Sequence, residues 1–466
     1  MKINWTNIYF IGAGGIGMSS LIQYFLANRK NISGYDKVES VFTRQLNDLG
    51  ASIHYDDNVN LIPKLFKDKE NTLVVITPAI PYDHSEWTFF RNAGFNIVKR
   101  AQLLGEITKN KKGICIAGTH GKTTTSSMIA HLLKQSSAGC NAFLGGILKN
   151  YNNNLLLSDT SDLIVIEADE YDRSFHWLSP FMAVITSVDS DHLDVYGTEK
   201  SYKEAFEHFT FLIRRGGVLL MREGIDIAPS LQEGVQHYSY SGDISKIRGK
   251  NKPDFYAQNV RINSEEIHFD FVAPNTVIKD IQLNEPIEIN IINSVAALAV
   301  ALLNSVTSEE LKQAMASFIG VKRRFDFHIK TDDLVLIDDY AHHPQELKSS
   351  IKSVRTLYPN RRLAVIFQPH LYSRTNDFYK EFAQSLSLAD EVILLPIYPA
   401  REKPIPNVSS QIILDSLTIS SKQLVNYDEL ISSVAKQKMD VVLVIGAGDI
   451  ELLIEPLKKA LLACRW

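Results

Sequence analysis

The sequence predicts an α/β protein of three domains. Short apolar stretches alternate with amphipathic helical patterns along the chain, and two of these stretches lead directly into glycine-rich loops. The length of 466 residues exceeds what a single hydrophobic core normally holds. We therefore expect a Rossmann-like domain over residues 1–107, a central α/β domain over residues 108–321 and a C-terminal Rossmann-like domain over residues 322–466.

The first domain begins with the pattern of a dinucleotide-binding fold. Residues 8–11 form a predicted strand, and Gly12-Ala-Gly-Gly-Ile-Gly17 and a helical pattern follow it. Such glycines permit a tight turn, approach of the backbone to a diphosphate and close helix packing. Asp36 follows the next predicted strand, residues 32–35, where an acid binds ribose. The pattern predicts a ribose-diphosphate ligand. NAD is the best-known ligand of this kind. In the alternative interpretation, the glycines only permit close packing and bind no ligand.

A further ligand-binding turn is expected at residues 77–80, because open sheets hold ligands where strands such as residues 72–76 end. Arg91 and Arg100 are candidates to neutralise phosphate, and solvated surface charges are the alternative for both. The polar residues 108–112 are expected to form a linker to the next domain. The candidate contacts of the first domain are Gly12, Gly14, Gly15, Gly17, Asp36, Thr77 and Ala79.

The central domain opens with a phosphate-loop pattern. A predicted strand at residues 114–117 leads into Gly118-Thr-His-Gly-Lys-Thr-Thr124, and a helix is predicted from Thr123 onwards. In such loops the backbone N–H groups turn inward on a polyphosphate, while Lys122 would reach the terminal phosphates and the Thr123 hydroxyl would ligate Mg²⁺. The general pattern asks for glycine where Ile116 stands, so an ordinary strand-turn-helix is the alternative. The order of strand, Gly-Lys-Thr and helix favours phosphate binding.

Acids follow the next predicted strand. Glu167 comes directly after the apolar residues 163–166, where a phosphate-loop enzyme places its second protein ligand to Mg²⁺. Asp169, Glu170 and Asp172 are expected to be structural, to bind other charged groups or to form a solvated turn.

Two further polar groups lie in the central domain. His192 follows a predicted strand among aspartates, which predicts either a ligand to a second cation or a local hydrogen-bonding partner. Asn290 and Asn293 stand at the start of a helix predicted over residues 291–303. Their amides are suited to reading adenine, with helix capping as the alternative for Asn290.

The last third of the chain predicts another α/β domain. Four apolar strands, near residues 334–337, 363–367, 391–395 and 441–445, alternate with helical stretches. Polar side chains stand where predicted strands give way to loops, which is where sites form in open sheets. These side chains are Asp339, His342, His343 and Arg374.

Composition excludes several classes of protein. The formal net charge of −4 gives no basic excess for nucleic acid, and no apolar stretch approaches membrane-spanning length. Three scattered cysteines offer no disulfide framework or zinc site, and the first residues lack a secretory pattern. We therefore expect a cytoplasmic protein with Cys115 buried in its strand.

Taken together, these motifs resemble the ATP-dependent Mur ligases over nearly the whole chain, most closely the members that add L-alanine. The motifs that carry the resemblance are Gly12-Ala-Gly-Gly-Ile-Gly-Met18, Gly118-Thr-His-Gly-Lys-Thr-Thr124, Glu167-Ala-Asp-Glu170, Asp191-His192, Asn290-x-x-Asn293, Arg323-Arg-Phe325, Asp338-Asp-Tyr-Ala-His-His-Pro344 and Phe367-Gln-Pro-His370. The shortened phosphate loop is the form that this family uses.

The resemblance implies that ATP activates the lactyl carboxylate of UDP-N-acetylmuramate as an acyl phosphate, which the amine of L-alanine then attacks. It implies a first domain that binds the UDP-sugar, and two Mg²⁺ ions held by Thr123, Glu167 and His192. It implies catalytic positions at Lys122, His192, His343 and Arg374, the last two near the muramate carboxylate and the amino acid. It implies ATP contacts at Gly118, Thr119, His120, Gly121, Lys122, Thr123, Thr124, Asn290, Asn293, Arg324 and Asp339.

The chain departs from patterns of this family in three places. Phe206 stands where ligases of later steps carry a carbamylated lysine, which agrees with the alanine-adding members. Thr77-Pro78 replaces a Ser-Ser pair, and Ile289 replaces a histidine that often precedes the asparagines.

Three alternative functions stay open: a ligase that attaches a whole tripeptide to UDP-N-acetylmuramate, an NAD-dependent oxidoreductase, and a nucleotide-gated binding protein without catalysis. The sequence leaves the oligomeric state open.

Overall fold

The computed structural model describes residues 5–189, 191, 193–246, 252–263, 266–400, 402–435 and 439–463. The chain forms two compact units, one of residues 1–261, 267–284 and 290–319 and another of residues 262–266, 285–289 and 320–466. Within the described residues the strands form three sheets, of which the first two lie in the first unit. The prediction of an α/β fold with three sheet-centred parts is confirmed.

The first sheet is a five-stranded parallel sheet with the strand order β3-β2-β1-β4-β5. The order reverses between β1 and β4, so the loops that follow these two strands flank a switch point, where such sheets bind ligands. Its elements are β1 (Asn7–Ile11), α1 (Ile16–Ala27), β2 (Asn31–Tyr35), α2 (Val41–Asp48), β3 (Ser52–His54), β4 (Thr72–Ile76), α3 (Ser85–Asn92), β5 (Asn96–Lys99) and α4 (Arg100–Lys109).

The second sheet has ten strands in the order β15-β14-β13-β12-β11-β10-β6-β9-β7-β8. Strand β6 pairs in parallel with β10 on one side and with β9 on the other, so the loops after these three strands share one edge. The elements are β6 (Lys112–Ala117), α5 (Lys122–Lys134), β7 (Asn141–Leu148), β8 (Asn153–Leu156), β9 (Leu163–Glu167), β10 (Met182–Ile185), α6 (Leu193–Tyr196), α7 (Glu199–Phe211), β11 (Val218–Arg222), β12 (Gln236–Asp243), β13 (Phe255–Ile262), β14 (Ile267–Ala273), β15 (Thr276–Leu283), α8 (Ile289–Leu303) and α9 (Ser308–Ser317).

The third sheet, in the second unit, has the strand order β16-β17-β21-β18-β19-β20, with β16 antiparallel to β17. The sequence predicted four strands here and missed β16 and β20, because neither is a continuous buried apolar run. The elements are β16 (Asp326–Lys330), β17 (Val335–Asp339), α10 (Pro344–Leu357), β18 (Leu363–Phe367), α11 (Tyr372–Leu386), β19 (Glu391–Leu394), α12 (Ser410–Ser416), β20 (Lys422–Leu424), α13 (Tyr427–Val434), β21 (Val441–Ile445) and α14 (Ile454–Ala463).

Residues 108–112 connect the elements of the first sheet to those of the second as predicted, but only residues 110–111 lie outside a helix or strand. Helix α4 continues to Lys109 and β6 begins at Lys112, while Thr108 is fully buried and its hydroxyl donates to the Gly105 carbonyl at 2.7 Å. Helix α4 also packs tightly on the 3₁₀ segment Tyr171–Trp177, since a Cβ at Gly105 would lie 2.3 Å from the Trp177 carbonyl oxygen. Tertiary packing therefore orders a stretch whose polar composition suggests a loop.

Cys115 is buried as expected, and Cys140 is a second buried free cysteine. None of the helices in the described ranges has both the length and the apolar character needed to cross a membrane.

Helix α5, which follows the phosphate loop, is anchored at its far end by a buried histidine. His131 is fully buried, and its Nε2 lies 3.0 Å from the Ala314 carbonyl oxygen of α9, which can only accept a hydrogen bond. Nε2 therefore carries the proton, and the Tyr151 hydroxyl donates to Nδ1 at 3.2 Å. Burial lowers the pKa of His131 to about 4. The imidazole is neutral in the folded protein at neutral pH.

This anchor predicts a loss of stability in mild acid. In the unfolded chain this histidine is protonated below about pH 6.5, whereas in the folded chain it is protonated only below about pH 4. The free energy of unfolding therefore falls by about 3 kcal/mol as the pH drops from 6.5 to 4. Urea denaturation of His131→Gln should show a shallower dependence on pH between 6.5 and 4 than the wild type. His237→Gln, at an exposed position, is the control and should keep the wild-type slope. Equal slopes in the wild type and His131→Gln would contradict the assignment.

Candidate functional site

The loop between β6 and α5 follows a path that only glycine allows at two positions. Gly118 has a φ of +147° and Gly121 a φ of +82°, both in the left-handed region. A Cβ at Gly118 would lie 2.1 Å from the Thr186 hydroxyl oxygen, just after β10. The backbone N–H of His120 donates to the Ser187 hydroxyl at 2.7 Å. The end of β10 therefore holds the loop in place beside the start of α5.

Lys122, the first residue of α5, is held inside this loop. Its ammonium donates to the Gly118 carbonyl oxygen at 2.5 Å and to Glu170 Oε1 at 2.8 Å. Burial disfavours the charge, but the carboxylates of Glu170 and Glu167 outweigh it and raise the pKa of Lys122. The lysine is therefore a cation placed where a phosphate-binding loop needs one.

Glu170 corrects one of the expectations for the acidic turn. Its side chain is 2% exposed and forms the ion pair with Lys122, so the solvated-turn alternative is wrong for this residue. Asp169 and Asp172 remain 42% and 43% exposed, and they pair with Arg100 and Lys99 respectively. The sequence showed four acids without showing which of them faces the lysine.

Thr123 and Glu167 provide adjacent oxygen atoms next to the loop. The Thr123 hydroxyl donates to Glu167 Oε1 at 3.0 Å, and the Gly145 N–H donates to Glu167 Oε2 at 3.1 Å. A Cβ at Gly145 would lie 2.2 Å from Oε2, so a glycine is needed to hold the carboxylate there. A hydroxyl and a carboxylate are ligands that suit Mg²⁺, which keeps several waters and needs few protein ligands. Within the described ranges no three His, Cys, Asp or Glu side chains form a metal-binding group.

His192, predicted as a catalytic residue and second metal ligand, lies outside the described residues. Asp189, just upstream of it, contacts the phosphate loop. Its backbone carbonyl accepts from the Thr119 hydroxyl at 2.7 Å, and its carboxylate lies 3.5 Å from Nε2 of His120. The sequence predicted Asp189 only as one of the aspartates around His192, and it did not predict this contact with the phosphate loop.

The asparagine pair lies against the start of α5. Asn293 Nδ2 donates to Asn290 Oδ1 at 3.1 Å, and Thr125 of α5 donates to Asn293 Oδ1 at 3.3 Å. Helix α8 begins at Ile289, so Asn290 lies within its first turn and not before it as the sequence predicted. Both amides are buried and are held beside the phosphate loop.

The glycine loop after β1 brings together most of the residues predicted for the first domain. Gly12 has a φ of +91°, and a Cβ there would lie 2.4 Å from Cγ2 of Thr77, in the turn after β4. The Gly14 N–H donates to Asp36 Oδ2 at 2.7 Å. Gly15 and Ala79 are exposed. Gly12, Gly14 and Thr77 belong to the loops that flank the switch point of the sheet, and Asp36 reaches Gly14 from the end of β2.

The two candidate arginines of the first domain differ in position. A Cβ at Gly17 would lie 2.6 Å from an Arg100 guanidinium nitrogen, and the same side chain lies 3.6 Å from Asp169. Arg91 instead stacks on Tyr82, with its guanidinium carbon 4.2 Å from the ring centroid. The structure therefore places Arg100, and not Arg91, against the glycine loop.

In the second unit, two of the predicted residues flank the end of β17. Asp339 is buried, accepts a hydrogen bond from the Ser350 hydroxyl and has its pKa raised by burial. Arg324 lies over the Tyr340 ring at 5.1 Å. Its neighbour Arg323 has a structural role, because it pairs with Asp338 at 3.4 Å and Glu451 at 2.8 Å.

The remaining predicted residues of the second unit belong to α10 and α11 and the loops before them. His343 caps α10, and its ring lies 5.1 Å from that of Phe378 on α11. Arg374 lies 3.4 Å from Nδ1 of His370, whose ring stacks on Tyr398 at 5.7 Å. His370 was visible in a sequence motif but was not selected, and no sequence pattern pointed to Tyr398.

The centroid of the His342 ring lies 6.1 Å from that of the His370 ring. Burial lowers the pKa of His342 to about 4. This part of the second unit therefore combines a neutral imidazole with the Arg374 cation.

Family models match most of the chain. The Mur ligase family catalytic domain matches residues 7–112, the Mur ligase middle domain residues 116–301, and the Mur ligase glutamate ligase domain residues 323–448. The chain is 60% identical to a UDP-N-acetylmuramate–L-alanine ligase of Parabacteroides distasonis, over 98% of this chain and 97% of that protein. It is 51% identical to the ligase of the same name from Porphyromonas gingivalis, over 97% and 98% of the two chains.

Solved structures agree with these matches. The crystal structure of the UDP-N-acetylmuramate-alanine ligase MurC from Thermotoga maritima superposes with a TM-score of 0.81 at 26% identity, covering 98% of this chain and 100% of that one. A murein peptide ligase from Psychrobacter arcticus shares the fold, with a TM-score of 0.69 at 21% identity over 98% of each chain.

The phosphate loop predicts a difference between two glycine substitutions. Gly118→Ala should destabilise the protein by about 1–3 kcal/mol, because the new Cβ meets Thr186 and the backbone conformation disfavours a side chain. Gly15→Ala is the matched control, since no atom lies within 4 Å of its Cβ position. Urea denaturation of both variants measures the difference. A Gly118→Ala variant as stable as Gly15→Ala would show that the loop path is not constrained.

Proposed function

Because this chain belongs to the Mur ligase family, we propose that it joins L-alanine to the lactyl carboxylate of UDP-N-acetylmuramate, with conversion of ATP to ADP and phosphate. The product, UDP-N-acetylmuramoyl-L-alanine, is a precursor of peptidoglycan. The observation that carries this proposal is the 60% identity to a ligase of that name over almost the full length of both proteins. The charged Lys122 in its glycine loop supports the use of a nucleoside triphosphate.

The proposed chemistry fits the polar groups of the first unit. A carboxylate is a poor acyl donor, so transfer of the γ-phosphoryl group of ATP makes an acyl phosphate, and the neutral amine of L-alanine then displaces phosphate. Both steps gather negative charge, which Lys122 and the first N–H groups of α5 would offset. No protein nucleophile is required.

Mg²⁺ is proposed as the metal of this reaction. Thr123 and Glu167 would hold one ion, since the hydroxyl and the carboxylate already lie 3.0 Å apart. His192 is proposed to help hold a second ion from the resemblance to the family alone. When bound, the ions would neutralise phosphate oxygens. The residues of this chain bind and orient the phosphates around them.

The remaining contacts are proposed within each unit separately. In the first unit the backbone of Gly118, Thr119, His120, Gly121 and Thr124 would surround the phosphates, and Asn290 and Asn293 would bind the nucleoside. In the second unit Arg324 and Asp339 would contact ATP, and His343 and Arg374 would act near the muramate carboxylate and L-alanine. The UDP-sugar would bind to Gly12, Gly14, Gly15, Gly17, Asp36, Thr77 and Ala79.

The proposed domain bounds stay at residues 1–107, 108–321 and 322–466. The proposed compartment is the cytoplasm.

An assay of phosphate release tests the function directly. With ATP, Mg²⁺ and UDP-N-acetylmuramate present, we expect rapid release when L-alanine is added and slower release with L-alanyl-γ-D-glutamyl-meso-diaminopimelate. Faster release with the tripeptide would make the protein a recycling ligase. NADH binding without UDP-sugar binding would revive the oxidoreductase alternative, and no ADP with every substrate would leave only a binding protein.

Arg100 predicts a selective loss of affinity for the UDP-sugar. Its guanidinium lies beside Gly17, where a diphosphate on the glycine loop would gain a charge-assisted contact. Arg100→Met should raise the KM for UDP-N-acetylmuramate by about tenfold or more, with little change in the KM for ATP. Lys99→Met is the control, because this neighbouring cation pairs with the exposed Asp172. Equal effects of the two variants would mean that only net charge matters.

A further inference from the structure

The side chain of Glu170 is buried beside Lys122 and held there by packing and hydrogen bonds. It lies between β9 and the 3₁₀ segment Tyr171–Trp177, with 2% of its side chain exposed. The hydroxyl of the buried Tyr196 donates to the Glu170 backbone carbonyl, and Oε1 lies 2.8 Å from Nζ of Lys122. The carboxylate therefore cannot turn out into solvent without breaking a packed turn.

The other acids of this turn have different partners. Of the four acids between residues 167 and 172, all of which the structure describes, Glu170 is the one bonded to Lys122. Glu167 accepts from Thr123 and Gly145, and Asp169 and Asp172 pair with Arg100 and Lys99. Contact with the phosphate-loop lysine is thus specific to one carboxylate and is not a general property of an acidic stretch.

We propose that Glu170 is a positioning residue that competes with the terminal phosphates of ATP for the Lys122 ammonium. A carboxylate and a phosphate both accept from the same three N–H groups, and each repels the other by its charge. Binding of ATP draws Lys122 toward phosphate at the expense of its bond to Glu170. Departure of the products returns Lys122 to Glu170, which favours release.

The sign of the effect follows from the charges. Glu170→Gln keeps a side-chain oxygen that can accept from Lys122 but removes the negative charge, so the phosphates compete with a weaker partner. Nucleotide should then bind more tightly and leave more slowly. A residue that only supported the fold would instead weaken nucleotide binding when it is changed.

Equilibrium binding is the direct test. Titration of the full-length protein with Mg²⁺ and a non-hydrolysable ATP analogue, without sugar or amino acid, should give roughly tenfold tighter binding in Glu170→Gln than in the wild type. Asp172→Asn is the matched control, because it makes the same acid-to-amide change in the same turn and the asparagine tolerates the φ of +51° at this position. It should stay within about twofold of the wild type. Unchanged or weaker binding by Glu170→Gln would overturn the proposal.

Steady-state kinetics supply a second readout. In Glu170→Gln both the KM for ATP and kcat should fall, because tighter binding and slower release act together. A fall in kcat with an unchanged or raised KM for ATP would contradict competition.

A second variant serves if Glu170→Gln does not fold. Glu170→Asp keeps the negative charge but shortens the side chain, so its carboxylate competes less well for Lys122. It should bind the analogue about two- to threefold more tightly than the wild type. Weaker binding by this variant would refute the proposal.

The inference rests on the proposed function only in that the loop binds ATP. The binding titration contains no sugar or amino acid, so its outcome for Glu170 does not depend on which amine the enzyme accepts. Failure of L-alanine to support phosphate release would refute the proposed function alone. Failure of the Glu170→Gln titration would refute the competition while leaving the ligase activity intact.

Discussion

The ion pair between Lys122 and Glu170 is the interaction on which the central site depends. It joins the first residue of α5 to the turn after β9, and the same ammonium also bonds to the Gly118 carbonyl. A buried carboxylate without a cation, or a buried cation without a carboxylate, would cost several kcal/mol. This pair therefore ties the glycine loop and the start of α5 to the acidic turn.

The first unit supports this arrangement with a continuous core. Residues of the first sheet, such as Phe10, and residues of the second sheet, such as Cys115, belong to one cluster of buried side chains. Helix α4 and the 3₁₀ segment after the acidic turn approach so closely that Gly105 has no room for a Cβ. The loop after β1 and the loop after β6 are thus parts of one packed body, and Arg100 and Asp169 meet where its two sheets adjoin.

Most of the secondary structure could be predicted, because the relevant signals are local. The buried strands β1, β4, β6 and β18 are short apolar runs, and the glycines after β1 and β6 mark backbone turns that other residues disfavour. The predictions failed where a polar stretch is ordered by distant contacts. The hydroxyl of the buried Thr108 accepts from the Ser179 N–H at 3.1 Å, and the half-exposed β20 is a strand because it pairs with β19.

The amino-acid sequence by itself determined where the two glycine loops lie and that Lys122 and Thr123 stand at the second one. It also determined membership of a ligase family, because the motifs of that family extend along the chain. Only the tertiary structure decided which acid pairs with Lys122, which arginine approaches Gly17, and that the asparagine pair of α8 lies on α5. The reason is physical. Glycine conformation and apolar periodicity act over a few residues, whereas the partner of a charge depends on which distant strand ends the fold brings within hydrogen-bonding distance.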